Sequence, residues 1–139
     1  MTLIYIHPHI SILPLPLATV RIQAGFPSPA DDWLEEELDL NAHLIKHPAA
    51  TFFARVQGES MIDAGIHEND LLIIDRSIEA NNNDLVVCML NGDFTLKRIC
   101  FAGSHISLIP ANQDFPIIHV NLSEDFEVWG VVKHVIHSV

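Results

Sequence analysis

With 139 residues, 49% of them hydrophobic and 18% charged, the chain is long enough for one folded domain with a short appendage, and too apolar to be a disordered polymer. Its formal net charge of −11 excludes binding to DNA, RNA or an anionic membrane that is driven by charge. A protein that works on, or with, other proteins fits this balance.

The first residues are apolar, but a secretory signal is not expected. There is no basic start, and Pro8, Pro14 and Pro16 interrupt any continuous apolar core. No stretch is long enough to span a bilayer as a helix. The same prolines forbid a helix, and the apolar residues fall in short alternating sets: Ile10 and Ile12, then Leu13, Leu15 and Leu17, then Val20, Ile22 and Ala24. That pattern predicts an extended arm with one face laid on an apolar surface. The glycine- and proline-containing "GFPSPADD" is a hinge and loop after it.

Two short helices are expected next. Ser28-Pro29 can start a turn toward Leu34, with Asp31 and Asp32 suited to its N-terminus, and Asp39 can cap "LNAHLIKH" before Pro48 stops it. From there the pattern is β, with strands expected near 51–57, 70–75, 84–90, 93–101, 105–109, 117–121 and 126–137, and Asn91-Gly92 as a hairpin turn. The body is thus a mainly β domain with one or two short helices. Cys88 and Cys100 lie in apolar, β-rich surroundings, too widely spaced for a metal knuckle or a C-x-x-C pair. They read as buried free thiols in a reducing, cytoplasmic compartment.

Within "ARVQGESMIDAGI", Ser60 follows a glycine where a β-like run breaks. A hydroxyl at such a bend can stand exposed beside backbone N–H groups, the arrangement acyl transfer requires. Serine needs a base to attack, and taken alone Ser60 reads as a plain turn residue. His67 sits in the polar turn "HEND" and reads as solvated; His43 and His47 at i, i+4 read as a surface pair without a third metal ligand. His105, His119 and the pair His134 and His137 form no catalytic pattern, and no metal site or cofactor is expected. Lys97 differs. In "DFTLKRIC" it shares one strand side with Thr95 and Ile99, opposite Phe94, Leu96 and Arg98. Burial there would disfavour the ammonium and make a neutral amine available as a base; otherwise it is a lysine snorkelling from a strand edge.

Gly58-Glu59-Ser60-Met61, "NDLLIID" at 69–75 and "FTLKRI" at 94–99 together resemble the peptidase domain of the LexA/UmuD family of self-cleaving Ser-Lys proteins of the SOS response. The UmuD branch is the most similar, through "GFPSPADDW", "DLNAHLIKHPAATFFARVQGESMIDAGI" and "WGVVKHVI", covering nearly everything from Gly25 onward. The resemblance implies a domain of twisted antiparallel strands, with Ser60 as nucleophile and Lys97 as general base. It implies a cut between Ala24 and Gly25, dividing a removable arm, 1–24, from a peptidase-like domain, 25–139. The alternation in "VRIQA" would let Val20 and Ile22 dock with Ala24 as an added strand. UmuD-like chains carry cysteine before the glycine; alanine here is the repressor-branch residue, and it bears on rate.

Three partner expectations follow from the resemblance: a homodimer, a RecA–single-stranded DNA filament that stimulates cleavage, and a UmuC-type, Y-family polymerase joined for translesion synthesis. No direct nucleic-acid or membrane binding is expected. Among rivals, a LexA-type repressor needs a DNA-binding module that some two dozen proline-rich residues do not build. A signal peptidase needs a membrane anchor. A catalytically silent β-domain serving as a polymerase adaptor is the alternative that leaves Ser60 and Lys97 without work.

Overall fold

The computed structural model describes residues 12–19, 21–27 and 35–139. Val20 and the expected helical turn from Ser28 to Leu34 lie outside these residues. The chain divides into two compact units, Met1–Lys46 and His47–Val139. This division is one of packing. The boundary expected at 24/25 is a covalent one and falls inside the first unit.

In the first unit, β1 (Pro14–Ala18) pairs antiparallel with β2 (Glu35–Asp39), from Pro14 opposite Asp39 to Ala18 opposite Glu35. The extended arm is therefore a strand over its "PLPLA" segment, and a two-stranded ribbon tolerates proline because each strand is an edge. β2 was not expected: "EEELD" lacks alternating apolar residues, and its strand character comes from pairing with β1. Asp39 caps α1 (Leu40–Leu44) as expected, its side chain accepting from the Asn41 N–H at 3.2 Å. The helix is shorter than expected. Ile45 already has extended backbone angles (φ −114°, ψ 104°), and His47, preceding a proline, is held out of helical space at φ −130°, ψ 78°. Pro48 then opens a 3₁₀ turn, Pro48–Ala50, instead of ending a helix.

The second unit is one antiparallel sheet. Its strands are β3 (Thr51–Arg55), β4 (Leu71–Asp75), β5 (Leu85–Leu90), β6 (Asp93–Ala102), β7 (His105–Ile109), β8 (Ile118–Val120) and β9 (Phe126–Ile136), in spatial order β3-β4-β9-β5-β6-β7-β8. All seven expected strands are present, with ends within two residues of expectation. Asn91 and Gly92, at φ 50° and 87°, make the two-residue turn joining β5 to β6; this left-handed pair matches the twist of the flanking strands.

Central β5 is buried on both faces. Val86 and Cys88 join Ile99, Leu108 and Val131 in one cluster. Leu85 packs with Met61 and Ile66, and Val87 with Leu72 and Ile74, on the other side. This is why "LVVCML" is a continuous apolar run. Among the described residues, no helix is long and apolar enough to cross a membrane.

Candidate active site

Ser60 sits in the turn that leaves β3. Gly58 takes φ +90°, a value only glycine adopts without strain, and reverses the chain just ahead of the serine. Met61 and Ile66, 2% and 4% exposed, bury against Leu85 and anchor the turn from its C-terminal side. From the loop after β7, the Ala111 N–H donates to Ser60 O at 2.8 Å, while Ala111 O accepts from the Asp63 N–H at 2.7 Å. Asn112 Nδ2 donates to Glu59 O at 2.9 Å. The half-buried serine is thus fixed through the backbone on either side of its side chain. Among the described residues, no acceptor takes the backbone N–H of Ser60 or Met61.

Lys97 comes from the middle of β6, opposite Val86 of β5. Alternation along β6 is as read from the sequence: Ile99 packs in the Val86 cluster, and Leu96 packs on the Leu85 and Val87 side. Lys97 is only 7% exposed. Its Nζ lies 3.0 Å from Ser60 Oγ, 2.8 Å from Thr95 Oγ1 and 3.0 Å from Leu96 O. Burial pushes its pKa below the ordinary 10.5, opposed weakly by the Cys88 thiol. Thr95 was not singled out from sequence, yet its position two residues before Lys97 puts it on the same strand side. That spacing is the signal that could have found it.

The three contacts accommodate either an ammonium or a neutral amine, and burial favours the amine. Such an amine has two N–H donors and one lone pair. As an ammonium Nζ would donate to all three oxygens; once deprotonated it can keep the N–H bonds to Thr95 Oγ1 and Leu96 O and accept from the Ser60 hydroxyl. Chemically, the arrangement sets a hydroxyl within hydrogen-bond reach of a desolvated amine. Cys88, fully buried on the strand next to β6, does not compete as a nucleophile: burial pushes its thiol up to about 12, and the Lys97 charge lowers it only in part. The expected pair of buried free thiols holds for Cys88; Cys100 is free but only half-buried.

The remaining sequence candidates are scattered. Ala24 and Gly25 lie exposed in a bend, and Ile22 is 92% exposed outside any strand. His47 stands beyond the end of α1, so it forms no helical i, i+4 pair with His43; instead its Nδ1 lies 2.5 Å from Asp75 Oδ2. His67 is exposed, as expected for a solvated turn residue, but it is not isolated. Its ring lies 4.9 Å from that of His137, and both gather around buried Asp70. Sequence reading missed this cluster because His137 is 67 residues from Asp70 along the chain.

Residues 16–133 match the family model described as Peptidase S24-like. Among curated proteins, the chain is 42% identical over 121 residues to protein MucA of Salmonella typhimurium, spanning 86% of this chain and 82% of MucA. It is 44% identical over 123 residues to protein SamA of S. typhimurium LT2, spanning 88% and 85%. To protein ImpA of Shigella flexneri it is 46% identical over 122 residues, spanning 88% and 83%. The chain belongs to the Peptidase S24-like family, within the LexA/UmuD group of self-cleaving serine peptidases of SOS mutagenesis.

Proposed function

We propose that Ser60 and Lys97 are the nucleophile and general base of a self-cleavage that breaks the Ala24–Gly25 bond. The observation that carries this reading is the 3.0 Å approach of a buried, desolvated Lys97 Nζ to Ser60 Oγ. Neutral Lys97 takes the hydroxyl proton as Ser60 Oγ attacks the Ala24 carbonyl. The N–H groups of Ser60 and Met61 stabilise the oxyanion of the tetrahedral intermediate. Collapse breaks the C–N bond, and Lys97 passes its proton to the leaving Gly25 amine. Water, deprotonated by the same lysine, then hydrolyses the ester to a carboxylate on Ala24 and a regenerated Ser60 hydroxyl. Exposure of Ala24 and Gly25 in a bend supports their role as substrate, since a scissile peptide must be free to extend into a cleft. In that extended form Val20 and Ile22, both on the N-terminal side of the bond, would dock with Ala24 as an added strand.

Each molecule carries its own substrate and turns over once. Loss of residues 1–24 converts the chain into a shorter product, 25–139, that acts as a homodimeric accessory subunit of a UmuC-type, Y-family polymerase in the cytoplasm. A RecA–single-stranded DNA filament is the trigger. Incubation of purified chain with and without that filament tests the reading. Filament-dependent conversion of the wild type, absent in Ser60→Ala, is expected. If filament leaves the wild type intact and Ser60→Ala behaves identically, the chain is a silent adaptor.

A further inference from the structure

The residues just before β4 and just after β9 form a second cluster, made of side chains other than Ser60 and Lys97. Strand register builds it. Leu71 of β4 faces Ile136 of β9, so the next residues outward, Asp70 and His137, are brought side by side. His137 Nδ1 lies 2.6 Å from Asp70 Oδ1. The other carboxylate oxygen, Oδ2, accepts the His67 backbone N–H at 2.8 Å, and His67 Nδ1 lies 3.9 Å from it. One donor atom from each of the three residues falls within 4.8 Å of the others. Asp70 is nearly buried, with a side chain 3% exposed, whereas both imidazoles are 47% exposed.

We propose that His67, Asp70 and His137 bind a divalent first-row transition-metal ion, of which zinc is the prototype, with water completing the coordination. Two imidazoles and one carboxylate are a borderline nitrogen–oxygen donor set. It suits zinc, copper or nickel, and is poor for magnesium or calcium, which require mostly oxygen. Tetrahedral zinc with bonds of about 2.0–2.1 Å needs its ligand atoms roughly 3.3 Å apart. To meet that spacing the half-exposed His67 and His137 rings would rotate about the buried Asp70 carboxylate.

Asp70 is prepared for the role. The His67 backbone N–H, and then the His137 ring, hold its carboxyl below its ordinary value, against the opposing effect of burial, so it is ionised at neutral pH. The backbone bond also orients the carboxylate, in the way that outer partners orient ligands at metal sites. His137 would bind the metal through Nδ1 as a neutral imidazole, with its single ring proton on Nε2, so no co-reactant is needed. Bound metal would tie the end of β9 to the loop closed by the Val56 N–H to Asp70 O and Asn69 N–H to Val56 O bonds.

Zinc titration of the purified full chain at pH 7.5, by calorimetry and by thermal unfolding, tests the site. Wild type should bind and unfold at higher temperature with zinc. His67→Ala and His137→Ala should each weaken binding by about tenfold or more and lose the thermal shift. Both histidines are exposed, so their loss leaves the fold intact, whereas Asp70→Asn at a buried site would loosen the loop. In labelled wild type, the imidazole nitrogen resonances of His67 and His137 should move with zinc. An unchanged zinc affinity in either histidine variant, or no thermal shift of the wild type at zinc excess, overturns the proposal.

Discussion

Replacing Thr95 with valine removes one hydroxyl and keeps the side chain's shape. The lost contact is the 2.8 Å hydrogen bond from Lys97 Nζ. Such a bond is worth about 0.5–1.5 kcal/mol to a neutral donor and about 1.5–3 kcal/mol to a charged one. The variant therefore disfavours the ammonium over the amine by roughly 1–1.5 kcal/mol, and at 1.36 kcal/mol per tenfold this equals about one pH unit. If neutral Lys97 is the base, wild-type cleavage climbs about tenfold per pH unit and levels off below the ordinary lysine value of 10.5. In Thr95→Val, the levelling point moves down by about one pH unit. The plateau rate also falls, because Nζ is no longer held toward Ser60. The assay is the rate of spontaneous conversion from pH 6 to 11, followed on gels. An unmoved or raised inflection in Thr95→Val, or a flat or acid-favoured profile in the wild type, refutes the reasoning.

Other positions give independent checks. A Cβ added at Gly130 would lie 2.5 Å from the buried Ile74 Cγ2, so Gly130→Ala should cost about 1–3 kcal/mol in urea unfolding by overpacking. Ile99 is fully buried, and Ile99→Ala should cost about 2–5 kcal/mol in the same assay. Iodoacetamide should modify half-buried Cys100 well before Cys88, whose buried thiol is pushed up to about 12, with the difference vanishing in denaturant. Asn112→Ala removes the bond to Glu59 O that steadies the serine turn, and should slow cleavage several-fold while leaving the pH inflection in place.

The β body was legible because its signals are local. Alternation marked each strand, and Asn91-Gly92 marked the hairpin by a backbone need that few residue pairs meet. Lys97 was only partly legible this way: apolar neighbours made it a candidate base, but a snorkelling lysine reads the same, and its role came with the resemblance carried by Gly58-Glu59-Ser60-Met61 and "FTLKRI". Features that rest on pairing between distant segments were hidden. β2 is acidic and unpatterned, and becomes a strand only opposite β1. The Ala111 and Asn112 anchors lie about fifty residues from the turn they hold. The His67, Asp70 and His137 cluster exists only because β4 and β9 meet in one register. Helix α1 was overextended because the periodic pattern outlasted the backbone, which Ile45 had already taken into extended space.

The most direct test of Ser60 and Lys97 acting together on Ala24–Gly25 is the intact mass of protein held at alkaline pH without any activator. Wild type should yield two fragments, one beginning at Gly25, whose masses sum to the chain plus one water. Ser60→Ala and Lys97→Ala should each remain whole. Cleavage at another bond, or the same two fragments from either variant, would contradict the assignment.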